Sequence, residues 1–338
     1  MHTIPAMHTG RTSAAAPAAT ALKAAALAAS AALLLAVAPQ DEIPDPAGAD
    51  IQGTLTYWKA FPSKHLPRTR TVGIWLPPGY DKETERRYPV VYAHDGQNLF
   101  DPRLSFTKVD WGLDEAIAAG AKDGTIDPPI VVGIWNTPDR RREYCPWDMG
   151  PQYAQFILDE LMPEVNRRFR TRVGAASTCS MGASMGGLIS FWLCWRHPDR
   201  FGLGACLSTH FPFDGTDLAR AQGREPDATL AGKPLILEEI AGGVRFDAQP
   251  RPRLWLDHGT VNLDATYGPV QEQVDRWLER SGMRRGTDFQ SRTFEGADHN
   301  EAAWRARVPE ALRFLLPGSG KGGRKAVPGK KDFRTPRS

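Results

Sequence analysis

The stretch 175–187, followed at once by the apolar run 188–193, constrains this chain more than any other part of it. Small residues lead into Gly182-Ala183-Ser184-Met185-Gly186, which sets a glycine two before and two after a serine. That spacing predicts a sharp strand-to-helix turn that lifts the Ser184 hydroxyl off the end of a buried strand. A Cβ at either outer glycine is expected to collide where the chain reverses. In a chain with 32 glycines the pentapeptide alone is a weak signal, so its weight comes from what surrounds it.

Around it, short apolar bursts alternate with helical periods. The runs 54–61 and 71–76 read as an antiparallel pair, and 88–93, 129–135, 175–181, 201–207 and 253–256 read as strands covered on both faces, since their apolarity is nearly continuous. Between them Tyr153, Phe156, Ile157, Leu161, Val165 and Phe169 recur at three and four. So do Tyr267, Val270, Val274, Trp277 and Leu278, and finally Trp304, Val308, Ala311, Leu312 and Leu315. Each set makes one apolar stripe on a helix that packs on a sheet. The alternation predicts an α/β class: a doubly wound, mostly parallel sheet with helices on both faces. The less periodic stretch 215–243 is the natural place for an inserted cap.

The ends differ from the body. Arg11 and Lys23 precede a fifteen-residue stretch, 24–38, that is too short to span a bilayer comfortably and reads as the apolar part of a signal peptide, so export is expected and a stable membrane span is not. The expected organisation is a leader and linker over 1–50, one domain over 51–316 and a basic tail over 317–338. Of the overall charge of +3, the tail supplies +6 and the first fifty residues −2, which leaves the body at −1. A near-neutral body argues against nucleic-acid binding. Cys145, Cys179, Cys194 and Cys206 have no Cys-x-x-Cys spacing, which removes zinc-ribbon and thioredoxin readings and favours free thiols.

A serine is a poor nucleophile unless a base takes its proton and a carboxylate orients that base. The chain supplies both in the order Ser, acid, His. His299 sits after the strand-like run 288–294 and before the last helix. Two acids precede it: Asp264, on the loop past Gly259, is the preferred partner, and Asp257, at the strand end, is the alternative. Oxyanion donors are expected from the backbone N–H of Met185, at a helix N-terminus, and of Gln97, where Gly96 permits close approach after the 88–93 strand. The pairs His94-Asp95, Asp257-His258 and Asp298-His299 lack metal-site spacing, so no metal or other cofactor is expected.

Taken together, Tyr-Ala-His-Asp-Gly-Gln-Asn-Leu-Phe-Asp (92–101), Gly-Ala-Ser-Met-Gly-Gly (182–187), Asp-His-Gly-Thr (257–260) with Leu263-Asp264, and Asp-His-Asn-Glu (298–301) resemble the putative-esterase family of α/β-hydrolases, which includes enterochelin and feruloyl esterases. The resemblance implies Ser184 as nucleophile, His299 as base and an acid after the penultimate strand, acting on a small-molecule ester. One departure is that three residues separate Thr260 from Asp264, where many members reach the acid sooner. Arg141 and Arg142, in the run Arg140-Arg141-Arg142, and His210 are candidates for substrate contact. Competing readings are an acyltransferase with the same three residues and a non-catalytic module on the same scaffold.

Overall fold

The computed structural model describes residues 43–319. The expected leader stretch 24–38 and the basic residues 321–337 lie outside them. Chain order is β1 (Thr54–Phe61), β2 (Arg70–Leu76), β3 (Val90–His94), α1 (Leu113–Lys122), β4 (Ile130–Ile134), α2 (Arg140–Glu143), α3 (Gly150–Gln155), α4 (Met162–Arg168), β5 (Thr178–Ala183), α5 (Met185–Arg196), β6 (Leu203–Leu207), α6 (Gly215–Ala221), α7 (Leu235–Ala241), β7 (Arg253–Gly259), α8 (Gly268–Arg280), β8 (Phe289–Phe294) and α9 (Glu301–Leu315). A π-helical segment, Phe156–Leu161, joins α3 to α4, and Phe169 ends that run in an extended conformation.

The strands form one sheet in the order β1-β2-β4-β3-β5-β6-β7-β8. β1 with β2 and β2 with β4 are antiparallel; every later pairing is parallel. β3, β4, β5 and β6 are buried along their whole length, as continuous apolarity requires. Alternation then divides their side chains between two cores. Val91, Ala93, Val131, Met181, Ala205 and Leu207 face the side covered by α1 and α9; Val90, Tyr92, Val132 and Leu256 face the side covered by α5 and α8. In α8 the stripe Val274, Trp277 and Leu278 is buried in the second core, each side chain contributing roughly 1.5–3 kcal/mol by leaving water. The fold is that of an α/β-hydrolase.

Two boundaries shift from the sequence reading. β5 begins at Thr178 because Ala175–Ser177 forms a 3-10 turn, whose Ala175 carbonyl accepts from the Gly202 N–H at 2.9 Å. β7 runs on to Gly259, so Asp257 lies inside the strand. The 215–243 stretch holds two short helices, the first capped by Asp214 accepting from the N–H groups of Thr216 and Asp217. All four cysteines are free and buried.

Strand order reverses at β3, which has β4 on one side and β5 on the other. In open α/β sheets a crevice opens at the carboxyl ends of the strands at such a point. The loops leaving β3 and β5 carry Gln97 and Ser184.

Candidate active site

At the end of β5 the chain passes through Ser184 with φ 58° and ψ −123°, a strained conformation for a residue with a Cβ. Such a residue costs about 1–3 kcal/mol and is held by its surroundings. Here the Ser184 N–H donates to the Leu207 carbonyl at 3.0 Å, while its own carbonyl accepts from the His210 N–H at 3.1 Å and from Leu188 as α5 begins. A Cβ on Gly182 would lie 2.5 Å from the Gly186 backbone, so glycine is required there. Gly186 differs from expectation: a Cβ there would meet the Asp95 carboxylate and the His94 Cβ at 3.4 Å and the Tyr144 ring at 3.9 Å, ordinary contacts. The tighter site is Gly187, whose Cβ would come within 2.9 Å of the Thr209 hydroxyl.

Past β7, Asp264 is wholly buried and its Oδ1 lies 2.6 Å from His299 Nδ1. Its Oδ2 accepts from the Gly259 N–H and from the Ser208 hydroxyl, each at 2.7 Å. Burial alone would raise this carboxyl, but the bonds from His299, Ser208 and Gly259 hold it below the ordinary aspartate value. His299 is depressed by burial, and the His210 and Arg307 charges act in the same direction against Asp264, so its neutral form is favoured. Its Nε2 is buried and makes no hydrogen bond.

Asp257 occupies a different setting. Its Oδ1 accepts from Arg307 Nη1 and the Ser208 N–H, both at 3.0 Å, and its Oδ2 from the Trp255 indole at 2.8 Å. No hydrogen bond joins it to His299. Ser208, which nothing local in the sequence marks, ties the two acids together: its hydroxyl donates to Asp264 and accepts from Trp304 and Arg307.

Ser184 is 5 % exposed. The Tyr267 ring stands edge-on to His299, centroids 5.5 Å apart. On its other side the phenol lies 2.6 Å from His210 Nδ1, and His210 Nε2 lies 3.8 Å from Asp217. His210 is tied to Ser184 through its N–H, which donates to the Ser184 carbonyl at 3.1 Å, while Tyr267 and Asp217 were outside the sequence reading of the site.

Across the crevice, Asp95 has φ 57° and opens a 3-10 turn, Gly96–Asn98. Gly96 packs directly on the Gly133 backbone, where a Cβ would lie 2.3 Å from a carbonyl carbon. This seats the turn that carries Gln97 on β4, one strand removed from β5. The turn is anchored by Arg140, whose Nε and Nη2 each donate to Asp95 at 2.7 Å, and by Asn136 at 2.6 Å. Burial would raise Asp95, but Arg140 and Asn136 hold it below the usual range. Met185 is the first residue of α5, where a backbone N–H has no intrahelical acceptor.

The arginine run is divided among three carboxylates. Arg140 is clamped on Asp95, and Arg142 lies on Asp148 at 2.9 Å. Arg141 reaches only Asp217, at 3.7 Å, and burial pushes its pKa down. Among the described residues no cluster of three or more His, Cys, Asp or Glu could hold a metal ion, and no helix is long and apolar enough to cross a membrane.

The family model described as Putative esterase matches residues 63–315. The chain belongs to that family. It is 26% identical over 165 residues to the uncharacterised protein YbbA of Bacillus subtilis strain 168, an overlap of 45% of this chain and 61% of that one. It is 28% identical over 165 residues to an endo-1,4-beta-xylanase/feruloyl esterase of Xylanibacter ruminicola, covering 47% of this chain and 22% of that protein. The match thus spans less than two thirds of either relative. Among solved structures, the enterobactin esterase FES of Shigella flexneri with enterobactin superposes with a TM-score of 0.57 at 18% identity, over 79% of this chain and 59% of that one. An IroE-like serine hydrolase of Shewanella oneidensis gives 0.59 at 19% identity, over 78% and 80%.

Proposed function

We propose that this protein is a serine hydrolase that cleaves carboxylic esters through an acyl-enzyme on Ser184. The observation that carries the reading is the 2.6 Å bond between His299 Nδ1 and Asp264 Oδ1, which leaves the imidazole a buried, unpartnered Nε2, in a chain whose β5 ends on a strained Ser184. In that scheme His299 Nε2 takes the hydroxyl proton as Ser184 Oγ attacks the ester carbon, and returns it to the departing alcohol. Asp264 fixes the tautomer and balances the imidazolium. The N–H groups of Met185 and Gln97 receive the oxyanion. Water then repeats the cycle with the same base and frees the acid.

For the substrate, Arg141 is the cation of the run best suited to a carboxylate or phenolic oxygen on the ester, because carboxylates of this chain already hold Arg140 and Arg142 with paired bonds. Relatives named for feruloyl and enterobactin esters support phenolic acyl groups. The charge-then-apolar layout of the N-terminus supports export; the mass of the mature chain recovered outside the cytoplasm checks it.

The test is a fluorophosphonate label followed on intact protein, together with turnover of a short-chain aryl ester. Ser184→Ala should abolish labelling, and Ser184→Ala and His299→Ala should each lower kcat by about 10³-fold or more. Full turnover in either folded variant would overturn the reading.

A further inference from the structure

Glu301 opens α9 two residues after His299 and is buried. Its Oε2 accepts from the Thr107 hydroxyl at 2.8 Å, and its Oε1 from Asn98 Nδ2 at 3.4 Å. Asn98 closes the 3-10 turn that carries Gln97 and organises the loop beyond it. Its Oδ1 accepts from the Phe106 N–H at 3.1 Å, and its carbonyl from the Trp111 N–H at 2.9 Å. One carboxylate therefore joins the segment of the candidate base to the turn of a candidate oxyanion donor. α9 meets the same loop at two further points, the Trp304 and Trp111 rings with centroids 5.6 Å apart and the ion pair of Arg305 with Asp110. Packing of helix on loop thus does not hang on Glu301; what its bonds add is a fixed distance from Asn98 to the start of α9.

We propose, on the acyl-enzyme reading above, that Glu301 is a positioning residue, which sets the separation of the His299 imidazole and the Gln97 N–H by holding Asn98 and Thr107 against the start of α9. In each half of that reaction the imidazole moves a proton beside the tetrahedral carbon while the N–H groups hold its oxyanion. Both must therefore stand at set places around one carbon. Asp264 fixes the imidazole from one side, and Arg140 fixes the turn through Asp95 from the other. Glu301 is the link between them. The bonds rather than the charge do this. In glutamine, Oε1 can accept from Asn98 while Nε2 donates to the Thr107 oxygen, whose own proton has the Val109 carbonyl 3.4 Å away.

The kinetic signature follows from the two halves sharing one base and one set of donors. A displaced turn slows acylation and deacylation by the same factor. When both rate constants fall together, kcat falls with them, whereas KM, set by their ratio and by substrate affinity, stays where it was. Loss of a residue that contacts the substrate moves KM instead. Loss of a residue that serves only the packing lowers the melting temperature and leaves kcat of the folded enzyme alone.

The experiment compares Glu301→Ala, Glu301→Gln and Thr107→Val with the parent on a short-chain aryl ester, by steady-state kinetics, by the rate of the first burst of aryl alcohol and by melting temperature. Glu301→Ala should lower kcat by about 10- to 100-fold, as small misplacements of reacting groups do, with KM unchanged and the burst slowed by the same factor. Glu301→Gln should restore most of the rate. Thr107→Val should lower kcat in the same sense, and adding it to Glu301→Ala should cost little more, as members of one link behave. With Ser184→Ala inactive, a parent-like kcat in folded Glu301→Ala, or a changed KM with kcat intact, overturns this proposal alone. Should Glu301→Ala fail to fold, a parent-like kcat in Thr107→Val overturns it equally. Turnover retained by Ser184→Ala overturns the acyl-enzyme reading and this proposal with it.

Discussion

Asp257 and Asp264 share Ser208 as a neighbour yet are driven in opposite directions. Burial dominates at Asp257 and raises it despite Arg307, Trp255 and Ser208, whereas His299, Ser208 and Gly259 prevail at Asp264 and lower it. The first braces β6 and β7 to α9; the second holds the imidazole. Asp264→Asn should therefore lower kcat by orders of magnitude, about 10⁴-fold where the wrong His tautomer results, with a small change in melting temperature. Asp257→Asn should leave the buried Arg307 with only Asp264, 3.7 Å away, as counter-charge and cost about 3–5 kcal/mol of stability, read by urea unfolding. The reverse pattern would exchange their roles. In the proposed mechanism the base must be neutral, and burial depresses His299, so activity should persist to lower pH than an ordinary histidine of 6.5 would allow and the acid limb of kcat/KM should lie below that value. As candidates, Ser184, His299 and Asp264 were legible because chain order and short motifs mark them. Ser208 and Tyr267 were not, because Ser208 meets Asp264 across 56 positions and Tyr267 meets His210 across 57, with no local signature at either end.

Among the elements, the turn after β3 depends on a partner from another loop. Asp95 adopts a left-handed conformation under the start of α5 and is neutralised by Arg140, which leaves β4. From sequence, Arg141 and Arg142 of this run are candidates for substrate contact. A run of like charges carries no information on which carboxylate the fold will bring to each member, and here three different elements supply them. Arg140→Met should strand a buried carboxylate, lower stability by about 3–5 kcal/mol and reduce kcat by loosening the Gln97 turn. Adding Asp95→Asn should recover most of the melting temperature, since asparagine tolerates the left-handed conformation and needs no counter-charge. A double variant no more stable than Arg140→Met would show that the pair does not hold this turn. The strands themselves were legible from continuous apolarity. Their ends were less so: at Ala175 and at Asp257 the boundary is set by a neighbouring strand's hydrogen bonds rather than by the residues' own preference.

For the whole molecule, His94 links the sheet to the proton concentration. It closes β3 with no exposed surface, its Nδ1 2.9 Å from the Tyr153 hydroxyl and its Nε2 3.1 Å from the Ser180 hydroxyl, so it bridges the long helical segment to β5. Burial lowers its pKa to about 3, with Asp95 opposing and Arg140 reinforcing the shift. In the unfolded chain the same ring titrates near the ordinary 6.5. Between those values the unfolded state binds the proton and the folded state does not, so falling pH favours unfolding. The contribution of His94 is thus complete above about 6.5 and is lost progressively toward about 3, at up to about 1.4 kcal/mol per pH unit for one proton. Carboxylates add their own terms in the same acid range, so the measurement must be a difference. Urea unfolding at stepped pH values, run on the parent and on His94→Gln, isolates it: the variant starts less stable at pH 7 but loses stability more slowly as pH falls. Parallel curves through this window would mean that His94 takes up its proton without unfolding the protein, and that the sheet tolerates a charge at the end of β3.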